Sequence, residues 1–198
     1  MSPRTKEQYD SIRESRKNLI MDTALELFAN NGYHATSISI IAQKAGISKG
    51  LLYNYFKSKE KLLIEILSSG LREFTDELDL DKDGVITDEE FIHFIDLMFK
   101  TLKAERDYWR LYFSVILQPA VLVLIKDQYR SILETTLNMM EAYFRKKGNK
   151  NPRMQALIFG SLLDGIGINY IMDSASFNLK ETKKIIINNF LNLNKHEK

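Results

Sequence analysis

Residues 38–57 constrain the fold more than any other part of the sequence, because they require short helices to meet across a tight turn. Ala42 provides a small side chain, and Gly46 follows four positions later. A helix-turn-helix needs close helix approach and a tight turn, for which small residues and glycine are suited. The apolar residues placed to fill the contact are Ile41, Ile47 and Leu52. The segment predicts a helix-turn-helix, with ordinary short core helices as the plainer alternative.

The rest of the chain repeats apolar residues at helical spacing. Of the 198 residues, 44% are hydrophobic, and only 3 prolines and 9 glycines interrupt the pattern. We therefore predict an all-α fold. The predicted helices cover residues 16–30, 37–44, 48–56, 58–78, 87–103, 106–118, 121–147, 152–173 and 178–193.

Composition argues against several classes of protein. Cysteine is absent, which excludes disulfides, thiol catalysis and cysteine-ligated zinc and suits a reducing cytosol. The 3 histidines are scattered, and no phosphate-binding glycine loop or zinc motif is present, so we expect no enzyme. No uninterrupted apolar run reaches the roughly 18 residues of a membrane span. We therefore expect a cytoplasmic protein without a membrane partner.

Positive charge is concentrated near the N-terminus. Residues 1–61 contain 10 lysines and arginines against 6 acidic residues, whereas the whole chain has a net charge of only +2. A basic head on a slightly acidic body suits contact with a polyanion, although ordinary solvated faces show the same asymmetry. A candidate basic arm covers residues 1–15 and the positions just after it. Its charged residues are Arg4, Lys6, Arg13, Arg16 and Lys17.

The second helix of the helix-turn-helix begins with polar groups. Ser48 is placed to cap it by accepting a hydrogen bond from a backbone amide near Leu51. This cap leaves Lys49 and Tyr53 free near the start of the helix. Lysine can reach base edges, and hydroxyl groups bind phosphate oxygens. The pattern therefore favours DNA binding.

Four stretches of sequence carry a resemblance to a known family, namely residues 25–28, 32–37, 40–46 and 48–63. Over residues 16–66 the chain resembles the N-terminal domain of the TetR family of repressors. The resemblance implies a TetR-like, all-α fold with a three-helix DNA-binding head in residues 1–61. A larger helical domain for ligand binding and dimerisation would occupy residues 62–198.

The resemblance implies that eight residues contact operator DNA. Thr36 and Ser37 would bind phosphate at the start of the second helix, and Lys49 is the expected base contact. Lys59 would clamp a phosphate at the amide-rich start of the fourth helix. Tyr55 stands where the family often has histidine, so it keeps a hydrogen bond but lacks a possible charge. The other implied contacts are Ser48, Gly50 and Tyr53.

The resemblance also implies that the larger domain binds a small-molecule inducer and forms a homodimer. Residues 152–193 would pack against their copies, so that two heads reach half-sites one DNA turn apart. The residues expected at this interface are Gly160, Gly165, Gly167, Ile185, Ile186, Phe190 and Leu193. Large, adaptable side chains suit an inducer pocket, although such stripes also pack ordinary cores. The candidate pocket residues are Phe94, Met98, Trp109, Phe113, Met139, Met140 and Tyr143.

Residues 79–90 match the EF-hand calcium loop at every defining position. Calcium prefers oxygen ligands from several directions, and carboxylates at alternating positions of a tight loop supply them. Gly84 would make the sharp bend, and Ile86 would pin the loop to the core. The predicted ligands are Asp79, Asp81, Asp83, the carbonyl of Val85, Thr87 and bidentate Glu90. Calcium is therefore the predicted metal cofactor.

Alternatives to the calcium prediction stay open. Thr87 and Glu90 also form a capping box for the next helix, and aspartate and glycine are ordinary turn residues. A rival function is a calcium-binding protein whose helical head is only a scaffold. In a DNA-binding regulator, calcium would instead fix the angle between the fourth and fifth helices and shift DNA affinity.

Overall fold

The computed structural model describes residues 5–191, apart from the side chains of residues 73 and 74. This part of the chain forms nine α-helices and no strand, which confirms the all-α prediction. The helices are α1 (Lys6–Asn31), α2 (Ile38–Lys44), α3 (Lys49–Tyr55), α4 (Lys59–Asp76), α5 (Asp88–Ala104), α6 (Arg106–Ile116), α7 (Pro119–Lys146), α8 (Pro152–Met172) and α9 (Leu179–Leu191).

Only α1 departs from its predicted bounds by more than two residues among the helices of the described range. It begins at Lys6 instead of residue 16, because Thr5 and Gln8 form a capping box. The Gln8 amide donates to Oγ1 of Thr5 over 3.3 Å, and the Thr5 amide donates to Oε1 of Gln8 over 3.1 Å. These bonds satisfy amides that the first turn leaves without partners. Residues 1–4 of the predicted arm lie outside the described residues.

The chain divides into two compact units. The first contains the residues up to Ser68 together with Leu111–Lys126. The second contains Ser69–Arg110 and the residues from Asp127 onward. Three helices, α4, α6 and α7, therefore contribute residues to both units.

Helices α1, α2, α3, α4 and α6 build the core of the first unit. Each contributes apolar side chains that are almost completely buried, and burying one such side chain contributes about 1.5–3 kcal/mol. The central residues are Phe28, Ile41, Leu52, Leu63 and Val115. Lys17 of α1 also pairs with Glu65 of α4 over 2.6 Å. The ion pair joins α1 to α4, and α2 packs against both α1 and α3.

An aromatic cluster fills the core of the second unit. Phe91 of α5 stacks on Tyr143 of α7, with ring centroids 4.7 Å apart. Phe159 of α8 meets Phe190 of α9 edge to face at 4.9 Å. Aromatic pairs of this kind contribute about 0.5–1.5 kcal/mol each beyond their burial. The cluster therefore joins α5, α7, α8 and α9.

The start of α5 is anchored to the end of α7. The carboxylate of Asp88 accepts hydrogen bonds from the Tyr143 hydroxyl over 3.0 Å and from the Lys147 ammonium over 2.6 Å. Burial raises the pKa of the Asp88 carboxyl, but these two partners outweigh it and hold the pKa below its usual value. The C-terminal part of residues 79–90, here called the acidic loop, is therefore fixed to a neighbouring helix.

Candidate functional site

Backbone hydrogen bonds close the turn between α2 and α3. The Gly46 amide donates to the Gln43 carbonyl over 3.2 Å, and the Ile47 amide donates to the Ala42 carbonyl over 3.0 Å. This pair of bonds is a Schellman motif, which requires a left-handed residue at position 46. Gly46 has a φ of +67°, which glycine adopts without strain. Ala42 and Leu52 are buried on either side of the turn, so the helix-turn-helix prediction is confirmed.

The N-terminal end of α3 presents polar surface. Oγ of Ser48 accepts a hydrogen bond from the Leu51 amide over 3.1 Å, which confirms the predicted cap. Lys49, Gly50 and Tyr53 are exposed. A Cβ added at Gly50 would meet only Oγ of Ser48, at 4.0 Å, so packing does not require glycine there. Glycine instead leaves the backbone open to a close approach from outside.

Ser37 and Thr36 differ in what they can offer to DNA. Ser37 is exposed and caps α2, with Oγ accepting from the Ile40 amide over 3.2 Å. Thr36 is 0% exposed, and its hydroxyl donates to the carbonyls of Gly32 at 2.9 Å and Leu27 at 3.2 Å. The predicted phosphate contact by Thr36 stays a prediction, and in this structure its hydroxyl is bound to the end of α1.

Lys59 begins α4, but its ammonium binds the loop between α1 and α2. Nζ donates to the carbonyls of Tyr33 and Thr36 over 2.8 Å each, and it lies 4.3 Å from the centroid of the Tyr33 ring. Burial lowers the pKa of this ammonium. In this structure the Lys59 side chain supports the loop that leads into α2, and the predicted phosphate clamp stays a prediction.

Gln118, in the turn between α6 and α7, also binds this loop and was missed by sequence reasoning. Its Oε1 accepts a hydrogen bond from the Tyr33 amide over 2.9 Å, and its Nε2 donates to the Phe28 carbonyl over 2.9 Å. The partners are 85 and 90 residues apart in sequence, so no local pattern identifies them. Gln118 fixes the C-terminal end of α1 and the peptide that follows it.

Tyr55, at the end of α3, is half-buried and lies beside α1. The guanidinium carbon of Arg13 is 6.0 Å from the centroid of the Tyr55 ring, which is the outer limit of a cation–π contact. Arg13 is exposed. The predicted DNA contact by Tyr55 stays a prediction, with Arg13 as its neighbour.

Three predicted calcium ligands converge in the acidic loop. Carboxylate oxygens of Asp79, Asp81 and Asp83 all lie within 4.8 Å of one another. Oxygens bound to one calcium ion at about 2.4 Å are at most about 4.8 Å apart, so the spacing fits a single ion. Gly84, with a φ of +81°, donates its amide to Oδ2 of Asp79 over 2.9 Å. Ile86 is buried, as predicted for the residue that pins the loop.

The carboxylate of Glu90 accepts hydrogen bonds from the loop itself. It accepts from the amides of Leu80 at 2.8 Å and Thr87 at 2.9 Å, and from the Thr87 hydroxyl at 2.8 Å. The Thr87 amide, with further donors, overcomes burial and lowers the pKa of the Glu90 carboxyl. The alternative prediction of a capping box is confirmed. A bidentate role for Glu90 requires that it release these donors.

The exposure of Val85 and the charge of Asp81 also bear on calcium binding. Val85 is exposed, and its amide donates to Oδ1 of Asp83 over 2.7 Å. The amide of Asp83 lowers the pKa of the Asp81 carboxyl, but desolvation and the neighbouring carboxylates outweigh this bond and raise the pKa above its usual value. Mutual repulsion of this kind is relieved by a cation.

The candidate pocket residues are distributed over both units, with Phe113 in the first and the others in the second. Tyr143 stacks on Phe91 and donates its hydroxyl to Asp88. Its side chain thus packs in the aromatic core, and its predicted place in a pocket stays a prediction. The other residues stay predictions. Those that are buried are Phe94, Trp109 and Met140, and those that are half-buried are Met98, Phe113 and Met139.

A stripe of exposed apolar residues follows α8. Its members follow one another at intervals of 3, 1, 4, 6 and 4 positions, which places them along one side of a helix. They are Met154, Leu157, Ile158, Leu162, Ile168 and Met172, at 37–78% exposure. Gly165 fills the interval of six, and an added Cβ would meet nothing within 4 Å there. By length and composition alone α8 could also cross a membrane, with 33% of its most apolar window buried.

The predicted interface on α9 needs correction. Ile186 and Phe190 are buried, and Phe190 belongs to the aromatic cluster. They serve the core of their own chain because they lie on the inner side of α9. Ile185 is 52% exposed and keeps its predicted role, whereas Leu193 lies outside the described residues. Among the described residues of the predicted interface segment, the exposed large apolar side chains are thus mostly on α8.

Comparisons with known proteins find a family match for the N-terminal segment. Residues 20–66 match the model of the bacterial regulatory proteins of the TetR family, which confirms the resemblance over this segment. The fatty acid metabolism regulator protein of Bacillus subtilis is 34% identical over 89 residues, which are 44% of this chain and 46% of that protein. The transcriptional repressor KstR2 of Rhodococcus jostii is 43% identical over 68 residues, 34% of this chain and 31% of that protein. The chain thus spans less than half the length of these curated relatives.

Solved structures resemble the chain over most of its length. The fatty acid degradation regulator FadR of Bacillus halodurans has a TM-score of 0.70 at 22% identity and covers 92% of this chain and 97% of its own. FadR of Bacillus subtilis, in complex with stearoyl-CoA, has a TM-score of 0.70 at 23% identity and covers 88% and 97%. These likenesses establish the fold, and the predicted TetR-like class is confirmed.

Proposed function

We propose that this chain is a transcriptional regulator that binds operator DNA through α2 and α3. The observation that carries the proposal is the helix-turn-helix closed at Gly46, which leaves Lys49 and Gly50 exposed at the capped start of α3. A helix start of this kind fits the major groove, where side chains reach base edges and backbone amides meet phosphates. The family match over residues 20–66 supports the same role.

We also propose that the regulator acts as a homodimer through α8, with Ile185 of α9 at the edge of the interface. The exposed apolar stripe supports this assembly, since contiguous apolar surface marks sites of association. Open space at Gly165 permits a second helix to approach closely. A two-fold dimer would place two recognition helices on two half-sites of a palindromic operator.

The DNA-binding proposal predicts a salt-dependent interaction that depends on Lys49. Duplexes selected from a random library by the full-length protein are titrated over a salt series, with wild type, Lys49→Ala and Lys100→Ala compared. Loss of a base contact costs about 1–3 kcal/mol, so we expect Lys49→Ala to weaken specific binding by roughly tenfold or more. Lys100→Ala removes an exposed charge on α5 and should change it little. Failure of the wild type to bind any duplex at low salt would contradict the proposal and favour the calcium-binding rival.

The effector we propose is a small molecule bound by the second unit, with a long-chain acyl-CoA as the first candidate. The fold shared with a FadR structure that holds stearoyl-CoA supports this class. The second unit is rich in large apolar side chains, which suits an acyl chain. We therefore expect stearoyl-CoA to release the protein from a selected duplex and free CoA not to release it.

We further propose that residues 79–90 bind calcium. The converging carboxylates of Asp79, Asp81 and Asp83 favour this second function. The loop joins α4 to α5, and Asp88 ties the start of α5 to α7. A bound ion would therefore hold the end of α4 against an already anchored helix, and by this route it would alter DNA binding.

Calcium is expected to stabilise the protein through the aspartates of the loop. At calcium concentrations about 100-fold above Kd, stability rises by about 2.7 kcal/mol, which corresponds to a Tm increase of about 5–10 °C. The paired change Asp79→Asn with Asp81→Asn should abolish the shift, whereas Asp107→Asn, at a carboxylate that is 93% exposed on α6, should preserve it. Scanning calorimetry with calcium, magnesium or chelator measures the effect. Calcium binding that leaves DNA affinity unchanged would contradict the regulatory role alone.

A further inference from the structure

The first turns of α1 present an exposed surface that does not belong to the core. The helix begins at Lys6, whereas the family match begins at residue 20 and the first buried residue is Ile20. Residues 6–16 are all exposed. The capping box at Thr5 nevertheless fixes this segment as helix. Packing against the core therefore does not explain the charge pattern of this exposed helical segment.

The extension separates its charges into two rows. One row, here called the basic row, consists of Lys6, Tyr9, Arg13 and Arg16. Its members are three or four residues apart and therefore lie on one side of the helix. The acidic residues Glu7, Asp10 and Glu14 follow the same spacing one position later, which turns them about 100° away. Sorted charges of this kind produce one cationic side with an aromatic hydroxyl within it.

The contact between Arg13 and Tyr55 shows that the basic row lies on the side of α1 that faces the end of α3. The guanidinium carbon of Arg13 lies 6.0 Å from the ring of Tyr55, the last residue of α3. Lys6, Arg13 and Ile20 are spaced by seven residues, so the basic row continues the side of α1 that is buried further along. At 1.5 Å per residue, Lys6 lies about 10 Å beyond Arg13 along the helix. The basic row thus runs from beside the last residue of α3 to a point about 10 Å further along α1.

We propose that the basic row binds the phosphate backbone of DNA beside the groove that α3 enters. This inference rests on the proposed function. A helix about 10–12 Å wide fills a major groove about 12 Å wide, so groups beside the helix meet the groove walls, which are phosphate backbone. Arginine and lysine suit these oxygens, and the hydroxyl of Tyr9 provides another donor. The row adds affinity without reading sequence.

The salt dependence of binding tests the proposal on the intact chain. Each phosphate contact contributes about 0.9 to the slope of log K against log salt concentration. A homodimer carries each residue twice, so Lys6→Gln with Arg13→Gln should reduce the slope by about 3 to 4. The control pair Lys100→Gln with Lys103→Gln removes the same charge from exposed positions of α5 and should leave the slope nearly unchanged. Circular dichroism checks that α1 keeps its helix in each variant.

The outcomes separate this inference from the proposed function. If the wild type binds selected duplexes and the α1 pair keeps its slope, the basic row does not touch DNA and the inference is overturned, while the function stands. If the wild type binds no duplex, the proposed function fails first. Sedimentation with vesicles of equal phosphatidylglycerol and phosphatidylcholine tests the other polyanion. Vesicle binding that the α1 pair abolishes, with an unchanged DNA slope, would assign the row to a membrane surface and overturn the inference.

Discussion

Replacing Ile158 by glutamate is expected to split the proposed homodimer and to lower affinity for a two-site operator by about 10²-fold or more. Ile158 is 51% exposed within the stripe of α8, so glutamate is well tolerated by the monomer. In the dimer, two carboxylates would be buried against apolar side chains without partners. Sedimentation velocity measures the loss of the dimer, and titration of duplex DNA measures the loss of the second head.

A matched change elsewhere separates dimer loss from the general effect of a new charge. Leu122, at 47% exposure on α7, lies outside the stripe, and Leu122→Glu should leave both the assembly and DNA binding intact. Thermal unfolding at high dilution should give similar Tm values for both variants. An Ile158→Glu protein that sediments as a dimer would exclude the α8 interface.

The positions of most helices could be predicted because a helix that packs one side against the core has apolar residues with a period of 3.6. The start of α1 shows where this signal ends. Its first turns bury no side chain, so apolar spacing does not indicate a helix there. The helix begins instead at the capping box of Thr5 and Gln8. A capping box is short enough to be seen in sequence, but without an apolar run behind it the signal is weak.

The turn of the candidate site was predictable for the opposite reason. Gly46 and Ser48 act through bonds to residues a few positions away, which the sequence displays directly. Lys59 and Gln118 act at long range, since their partners are backbone atoms of the loop after α1. Backbone carbonyls and amides have no sequence signature. A lysine assigned to phosphate by position was therefore found bound to carbonyls.

The acidic loop carries two overlapping local patterns, and only a structure can weigh them. Thr87 and Glu90 satisfy the capping box, while Asp79 and its neighbours converge as an EF-hand requires. The capping box and the EF-hand ligand set share Glu90. One carboxylate cannot fully cap the helix and also bind calcium in bidentate fashion, so the two roles compete. This competition is a physical reason to expect weak calcium affinity.

A pair of glycine substitutions four residues apart is expected to separate folding from DNA binding. Gly50→Ala places a methyl group in open space, with no atom closer than 4.0 Å, and improves helix propensity by up to about 1 kcal/mol. Stability should be unchanged or higher. In the complex the same methyl group would stand between the start of α3 and the groove. We expect DNA affinity to fall by roughly tenfold or more, because about 1.4 kcal/mol of lost contact suffices.

Gly46→Ala makes the same chemical change with the opposite effect on the fold. Its φ of +67° costs a residue with a Cβ about 1–2 kcal/mol, although no atom obstructs the methyl group. Its Tm should therefore fall by about 2–8 °C, while the Gly50→Ala protein melts at or above the wild-type temperature. Calorimetry and duplex titration on the three proteins measure both effects. Wild-type DNA affinity in Gly50→Ala would show that the backbone at position 50 does not approach the duplex, and it would move the contact surface away from the start of α3.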